Sequence, residues 1–105
     1  MKEITVQQLK QLIESKEDFQ LIDVREEHET EICTLNGELI PMGTVVENID
    51  KFSHDKKVVM HCRSGVRSGN VIAFLETNHG FDNLYNLKGG ILAWAKEIDQ
   101  SMPTY

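Results

Sequence analysis

The chain has 105 residues, of which 40% are hydrophobic and 27% are charged, a composition typical of one globular domain. Eleven basic residues against seventeen acidic residues give a net charge of −6, which argues against a nucleic-acid partner because phosphate binding needs a basic surface. The longest apolar runs, such as Val71–Leu75, are far shorter than the roughly 20 residues that span a bilayer. No signal-peptide core follows Met1, so we expect a single cytoplasmic domain over residues 1–105. In that reducing compartment Cys33 and Cys62 are expected to be free thiols.

The first half of the chain predicts a helix, a buried strand and a long irregular stretch. Thr5 followed by Gln8 has the pattern of a capping box, which starts an amphipathic helix. Residues Phe19–Val24 form a short apolar run that ends in charged residues, as is typical of a buried strand. The segment 26–42 has no periodic pattern, and Val45–Phe52 predicts a short helix.

The second half predicts strands and helices in alternation. Lys57–Cys62 is the clearest strand, because its middle is β-branched and apolar. Ser68–Asn78 predicts a helix that Gly80 closes. Asn83–Leu87 predicts another strand, and Ile91–Ile98 a final helix. Short strands that alternate with helices indicate an α/β fold with a largely parallel sheet, in which ligands bind beyond the carboxyl ends of the strands.

The most informative segment begins at Cys62, where a buried strand gives way to a loop and then a helix. Gly65 allows the backbone of this loop to curl tightly. A curled loop at a helix N-terminus directs several backbone N–H groups towards its centre, where they stabilise an anion. Arg63 and Arg67 add positive charge. A buried cysteine by itself often only fills space, but this setting favours the thiolate, which is the nucleophilic form.

Two other uses of the nearby side chains are less favoured. His61 could act as a general base, but neighbouring residues on a strand point to opposite faces, so we expect a packing role. A metal site built from His28, Cys33, His61 and Cys62 matches no zinc spacing with a physical justification. We therefore expect no metal and no cofactor.

The motifs together resemble the rhodanese-like domain family. The segment 62–67 (Cys-Arg-Ser-Gly-Val-Arg) resembles its active-site loop, and 23–26 (Asp-Val-Arg-Glu) resembles a motif that ends an early strand. Gly80-Phe81 and 87–94 (Leu-Lys-Gly-Gly-Ile-Leu-Ala-Trp) are similar to its closing segment. The resemblance implies a central, mostly parallel five-stranded sheet with helices on both faces.

A narrower resemblance comes from two further segments. Residues 33–43 depart from the His-Ile-Pro-Gly-Ala pattern usual in the family. Together with 94–105 they are similar to the rhodanese domain of the adenylyltransferase-sulfurtransferases of molybdopterin and thiamin biosynthesis. The 105 residues contain no adenylyltransferase domain, so this resemblance supports sulfur-transfer chemistry better than it supports a role in either biosynthetic pathway.

The family resemblance implies a sulfur relay through Cys62. The thiolate would take a sulfane sulfur from a donor, become a persulfide and pass the outer sulfur to a thiol, cyanide or a carrier protein. Implied partners are a small anionic donor such as thiosulfate, or a cysteine desulfurase or sulfur-carrier protein. Around the nucleophile, the implied active-site loop is Arg63, Ser64, Gly65, Val66 and Arg67, in which the amides stabilise the persulfide and the arginines hold an anionic donor. The implied supporting residues are Asp23, Arg25 and Ser68.

Two alternative functions remain open from the sequence. Dual-specificity phosphatases and arsenate reductases use a related Cys…Arg loop, but those phosphatases have five residues between the two, whereas four separate Cys62 from Arg67. A shorter loop makes a smaller pocket, suited to one sulfur atom rather than a tetrahedral phosphate. The second alternative is a non-catalytic interaction module; such rhodanese-like domains typically lack the cysteine, which this chain keeps.

Overall fold

The protein, described here from a computed structural model of all 105 residues, is built on one five-stranded sheet. Every paired strand runs parallel to its neighbour, in the order β1-β5-β4-β2-β3. The strands are β1 Lys2–Ile4, β2 Gln20–Asp23, β3 Glu38–Leu39, β4 Val58–His61 and β5 Leu84–Leu87. The predicted α/β class is therefore confirmed, with a sheet that is entirely parallel.

Helices cover both faces of the sheet, as the family resemblance implied. One face packs against α3, and the other against α1 and α4, in two separate clusters of buried apolar side chains. Two 3-10 segments, at 42–44 and 46–51, also contribute to the α3 side. The helices are α1 Val6–Glu14, α2 Glu27–Thr30, α3 Val66–His79 and α4 Gly90–Glu97. No helix is both long and apolar enough to cross a membrane.

The N-terminus of α1 shows the predicted capping box. The hydroxyl of Thr5 accepts a hydrogen bond from the Gln8 backbone N–H at 3.1 Å, and the Gln8 side chain accepts one from the Thr5 N–H at 2.9 Å. These two bonds satisfy backbone donors that a helix start otherwise leaves free.

Three local elements differ from the sequence prediction. Strand β1 was not expected, because three residues with two charges carry no alternating pattern; its structure comes from pairing with the distant β5. Helix α2 lies in the segment predicted to be irregular. The predicted helix over 45–52 is wrong in type, since the chain forms 3-10 turns there with a break at Asn48, whose ψ of 22° is not helical.

The centre of the sheet positions the Cys62 loop. β4 lies between β5 and β2, and Cys62 follows its last residue directly. Helix α3 begins at Val66, two residues before the predicted start, so Val66 and Arg67 are helical and the loop is shorter than expected. Gly65 caps the helix with a φ of +106°, a backbone conformation that glycine adopts without steric cost.

Candidate active site

Cys62 lies at the carboxyl end of β4, and the residue is only 1% exposed. Its Sγ accepts hydrogen bonds from the Gly65 backbone N–H at 3.1 Å and from the Ser68 hydroxyl at 3.4 Å. Burial raises the pKa of the Cys62 thiol, but the Ser68 hydroxyl and the backbone N–H groups of Ser68, Gly65 and Ser64 outweigh it. The net effect lowers the pKa, so the thiolate is favoured.

The start of α4 fixes the orientation of the cysteine loop. The backbone N–H groups of Ile91 and Leu92 donate to the carbonyl oxygens of Cys62 and Arg63, at 3.0 and 3.1 Å. These carbonyls are therefore directed away from the sulfur while the loop amides face it. Gly90, with a φ of +61°, permits this close approach, because a side chain there would overlap Arg63 O and lie 2.8 Å from Cys62 O.

Asn86 on β5 is a site residue that sequence reasoning missed. Its Oδ1 lies 2.6 Å from the Ser68 hydroxyl, whose single proton it shares with the Cys62 sulfur, and its Nδ2 donates to the Gly65 carbonyl at 3.0 Å. One side chain thus holds both groups that contact the Cys62 sulfur. A signal was available in the sequence, since asparagine is depleted from strands and a buried amide needs hydrogen-bond partners.

Arg67 forms a bidentate ion pair with Glu29. Its two terminal nitrogens lie 2.8 Å from the two carboxylate oxygens of Glu29. Glu29 is buried at 6% exposure, and the hydrogen bond from Arg67 holds the pKa of this carboxyl well below its ordinary value. Nothing in the sequence indicated Glu29, which lies in α2, 38 residues from its partner.

Arg63 contacts the end of the chain. Its Nε donates to the main-chain oxygen of Tyr105, the last residue of the sequence, at 2.7 Å, and its Nη2 donates to the same oxygen. The guanidinium carbon also lies 5.1 Å from the centre of the Tyr105 ring, within the range of a cation–π contact. Both Arg63 and Arg67 therefore already have protein partners, and their predicted role in binding an anionic donor stays a prediction.

Asp23 and Arg25 form a buried pair next to the loop rather than within it. Arg25 Nη2 lies 2.8 Å from Asp23 Oδ2 and donates to the Cys33 carbonyl at 2.8 Å, while Nη1 donates to the Tyr105 hydroxyl at 3.1 Å. Burial lowers the pKa of the guanidinium, but the hydrogen bonds to Asp23 and Tyr105 outweigh this and raise it. Tyr105 therefore connects the Asp23–Arg25 pair to Arg63, because it contacts both arginines.

His61 lies on the sheet face opposite Cys62, as the strand alternation predicts, since Val58, Met60 and Cys62 share the other face. Its Nδ1 is 3.3 Å from the Cys62 carbonyl oxygen and its Nε2 is 3.7 Å from Asp23 Oδ2. Burial lowers the pKa of His61. No group of three or more His, Cys, Asp or Glu side chains is arranged to hold a metal ion.

Comparisons with known proteins give a consistent result. Residues 5–97 match the family model described as the rhodanese-like domain. YtwF of Bacillus subtilis, named as a sulfurtransferase, is 41% identical over 98 residues, covering 92% of this chain and 93% of that protein. MoeZ of Mycobacterium tuberculosis, named as an adenylyltransferase/sulfurtransferase, is 35% identical over 97% of this chain, which spans only 26% of its length. A rhodanese-like domain protein from Staphylococcus aureus superposes with a TM-score of 0.82 at 37% identity, over 93% of this chain and 95% of that one.

Proposed function

The chain belongs to the rhodanese-like domain family, and we propose on that basis that residues 1–105 act as one sulfurtransferase domain whose sulfur carrier is Cys62. The observation that carries the proposal is the Cys62 sulfur itself, which receives hydrogen bonds from Gly65 and Ser68 and has a lowered pKa. Relatives named as sulfurtransferases support the reaction class.

The transfer takes two balanced steps. The Cys62 thiolate attacks the sulfane sulfur of the donor, a new S–S bond forms, and the donor's own S–S bond breaks. With thiosulfate the electron pair leaves as sulfite, and Cys62 becomes a persulfide anion. An acceptor such as cyanide or a thiolate then attacks the outer sulfur and restores the Cys62 thiolate. The same N–H donors that favour the thiolate stabilise the persulfide, because both are sulfur anions at nearly the same place.

The dimensions of the loop favour this chemistry over phosphoryl transfer. Only residues 63–65 lie between Cys62 and α3, and Gly65 and Ser68 already contact the sulfur. We expect so short a loop to accommodate one or two sulfur atoms rather than a phosphate with three further oxygens. A non-catalytic module has no need of a cysteine with a lowered pKa.

The donor and acceptor follow from the same proposal. Thiosulfate or a protein persulfide from a cysteine desulfurase would supply the sulfur, and a thiol or a sulfur-carrier protein would receive it. Because this chain matches only a quarter of MoeZ, no biosynthetic pathway is assigned. A reducing compartment such as the cytoplasm suits the reaction, since Cys33 and Cys62 are both free thiols.

Intact mass spectrometry tests the assignment. After brief incubation with a sulfane donor and removal of excess, the wild-type protein is expected to carry one added sulfur atom, which cyanide removes as thiocyanate. Cys62→Ser is expected to gain none. Cys33→Ser is the matched control, because Cys33 is also a buried thiol but its nearest polar contact is Arg25, at 3.8 Å. Sulfur loading of Cys62→Ser equal to wild type would exclude Cys62 as the carrier.

A further inference from the structure

Arg67, in the first turn of α3, has its positive charge cancelled by a carboxylate. Its two terminal nitrogens face the two oxygens of Glu29 at 2.8 Å, and its side chain is 34% exposed. The hydrogen bond to Glu29 raises the pKa of Arg67 most, and the negative charge of the Cys62 thiolate raises it further. Arg67 therefore lies where its charge acts on the reacting sulfur, but it belongs to the site as one half of a neutral pair.

Glu29 is held in its position by groups other than Arg67. The Glu26 backbone N–H donates to its Oε2 at 2.8 Å, and the Tyr105 hydroxyl donates to its Oε1 at 2.6 Å. The hydrogen bond from Arg67, followed by those from Glu26 and Tyr105, keeps the pKa of this buried carboxyl well below its ordinary value, so it stays ionised wherever Cys62 is a thiolate. An anion bound by Arg67 has to replace Glu29 as the partner of the guanidinium, and Glu29 then remains nearby as an uncompensated negative charge.

We propose that Glu29 is a specificity-determining residue that neutralises Arg67 and so selects against doubly charged sulfur donors. The inference rests on the proposed function and narrows its donor class to monoanionic or uncharged carriers of a sulfane sulfur. The Glu29–Arg67 pair gives a dianion no net attraction, although a guanidinium lies beside the nucleophile.

Two donors that differ by one charge measure this selection. Thiosulfate is a dianion and methanethiosulfonate is a monoanion, and in both the Cys62 thiolate attacks the terminal sulfur while the S–S bond of the donor breaks. Sulfite leaves with the electron pair in the first case and methanesulfinate in the second. Electrostatic energy is proportional to the charge of the donor, so a change in the charge of the site acts twice as strongly on thiosulfate. The ratio of the two loading rates therefore reports the charge that the donor meets, and a change in the reactivity of Cys62 common to both donors cancels.

Glu29→Gln removes the negative charge of the pair while it keeps the shape of the side chain. Second-order rate constants for sulfur loading of Cys62 are measured at low ionic strength by quenched single turnovers and intact mass. The variant is expected to load about threefold faster than wild type with methanethiosulfonate and about tenfold faster with thiosulfate, so the thiosulfate to methanethiosulfonate ratio rises about threefold. Glu27→Gln is the matched control, because it removes one negative charge from an exposed position of the same helix, where solvent screens it. Its ratio is expected to equal that of wild type.

Variants of both partners separate the effect of charge from a general structural effect. Arg67→Gln leaves the Glu29 carboxylate uncompensated and is expected to lower the same ratio. The double variant Glu29→Gln/Arg67→Gln makes the pair neutral again and is expected to return the ratio towards the wild-type value.

Thermal unfolding identifies the variants that are folded at the assay temperature. A ratio that is unchanged in folded Glu29→Gln, or that stays raised in the double variant, would overturn the role of Glu29 while leaving the persulfide chemistry intact. If Glu29→Gln does not fold, a wild-type ratio in Arg67→Gln would overturn it in the same way. Failure of the wild-type protein to gain sulfur from either donor would instead overturn the proposed function and this inference with it.

Discussion

Replacing Ser68 with alanine is expected to raise the pKa of Cys62 by about one unit. Ser68 is fully buried, and its hydroxyl is the only side-chain group that hydrogen-bonds to the Cys62 sulfur. Ser68→Ala removes that donor but keeps the backbone N–H groups of Gly65, Ser64 and Ser68 in the loop. The change therefore isolates one hydrogen bond to the nucleophile.

The size of the shift follows from the two acceptors that share one proton. The Ser68 hydroxyl lies 2.6 Å from Asn86 Oδ1 and 3.4 Å from Cys62 Sγ. A hydrogen bond to a charged acceptor contributes about 1.5–3 kcal/mol and one between neutral groups about 1 kcal/mol. Turning the hydroxyl to the thiolate gives up the bond to Asn86, so the net gain is the difference, roughly 0.5–2 kcal/mol. The middle of that range corresponds to about one pKa unit.

The rate of alkylation by iodoacetamide as a function of pH, followed on Cys62 by peptide mass spectrometry, measures this shift. Ser64→Ala is the control, because it removes a hydroxyl from the same loop while Ser64 keeps its backbone N–H towards the sulfur. Its midpoint is expected to equal that of wild type. If folded Ser68→Ala protein also titrates like wild type, the hydroxyl does not stabilise the thiolate, and the reasoning from the hydrogen-bond distances is wrong.

Two further predictions concern stability. Glu29→Gln is expected to lower the free energy of unfolding at pH 7 by about 1–2 kcal/mol, a value reduced for the partial exposure of Arg67. The ion pair depresses the pKa of Glu29. Its contribution to the free energy of unfolding is therefore present above the ordinary pKa of 4.5 and is lost progressively as the pH falls below that value. Urea titrations at pH 7 and pH 3 should therefore show a deficit that shrinks in acid, and an equal deficit at both would contradict the ion-pair assignment. Gly90→Ala is expected to cost about 3 kcal/mol or more, through its positive φ and the overlap with Arg63 O. Thermal unfolding should show a far smaller change for Gly43→Ala, since a side chain at Gly43 meets nothing within 4 Å.

The position of Cys62 at the end of a buried strand, and the sheet itself, could be predicted from the sequence because their signals are local. A β-branched run ending in Cys62, followed by a glycine and a helix, is contained within some twenty consecutive residues. The alternation of strands and helices needs only short windows, and the parallel class follows from it. The predicted start of α3 is two residues late, because the sequence alone does not show that the left-handed backbone of Gly65 begins the helix rather than continuing the loop.

The partners of the arginines could not be predicted, because nothing local specifies them. Glu29 is one of several acidic residues in a segment without periodicity, and Tyr105 is 42 residues from Arg63 and 80 from Arg25. Two arginines beside a cysteine favour an anion site when they are considered alone. The tertiary fold determines whether their charge is free, and here it supplies the Glu29 carboxylate to Arg67 and the main-chain oxygen of Tyr105 to Arg63.

The strand order also determines how another protein can approach this one. The two edges of the sheet are β1, with only three residues and the exposed charges of Lys2 and Glu3, and β3, with only two residues. Short, charged edges offer few free backbone groups, so they resist aggregation and leave little length for an incoming strand to pair with. Under the proposed function, a protein that delivers or receives sulfur would have to recognise side chains around the Cys62 loop, since extending the sheet gives it almost no backbone to bind.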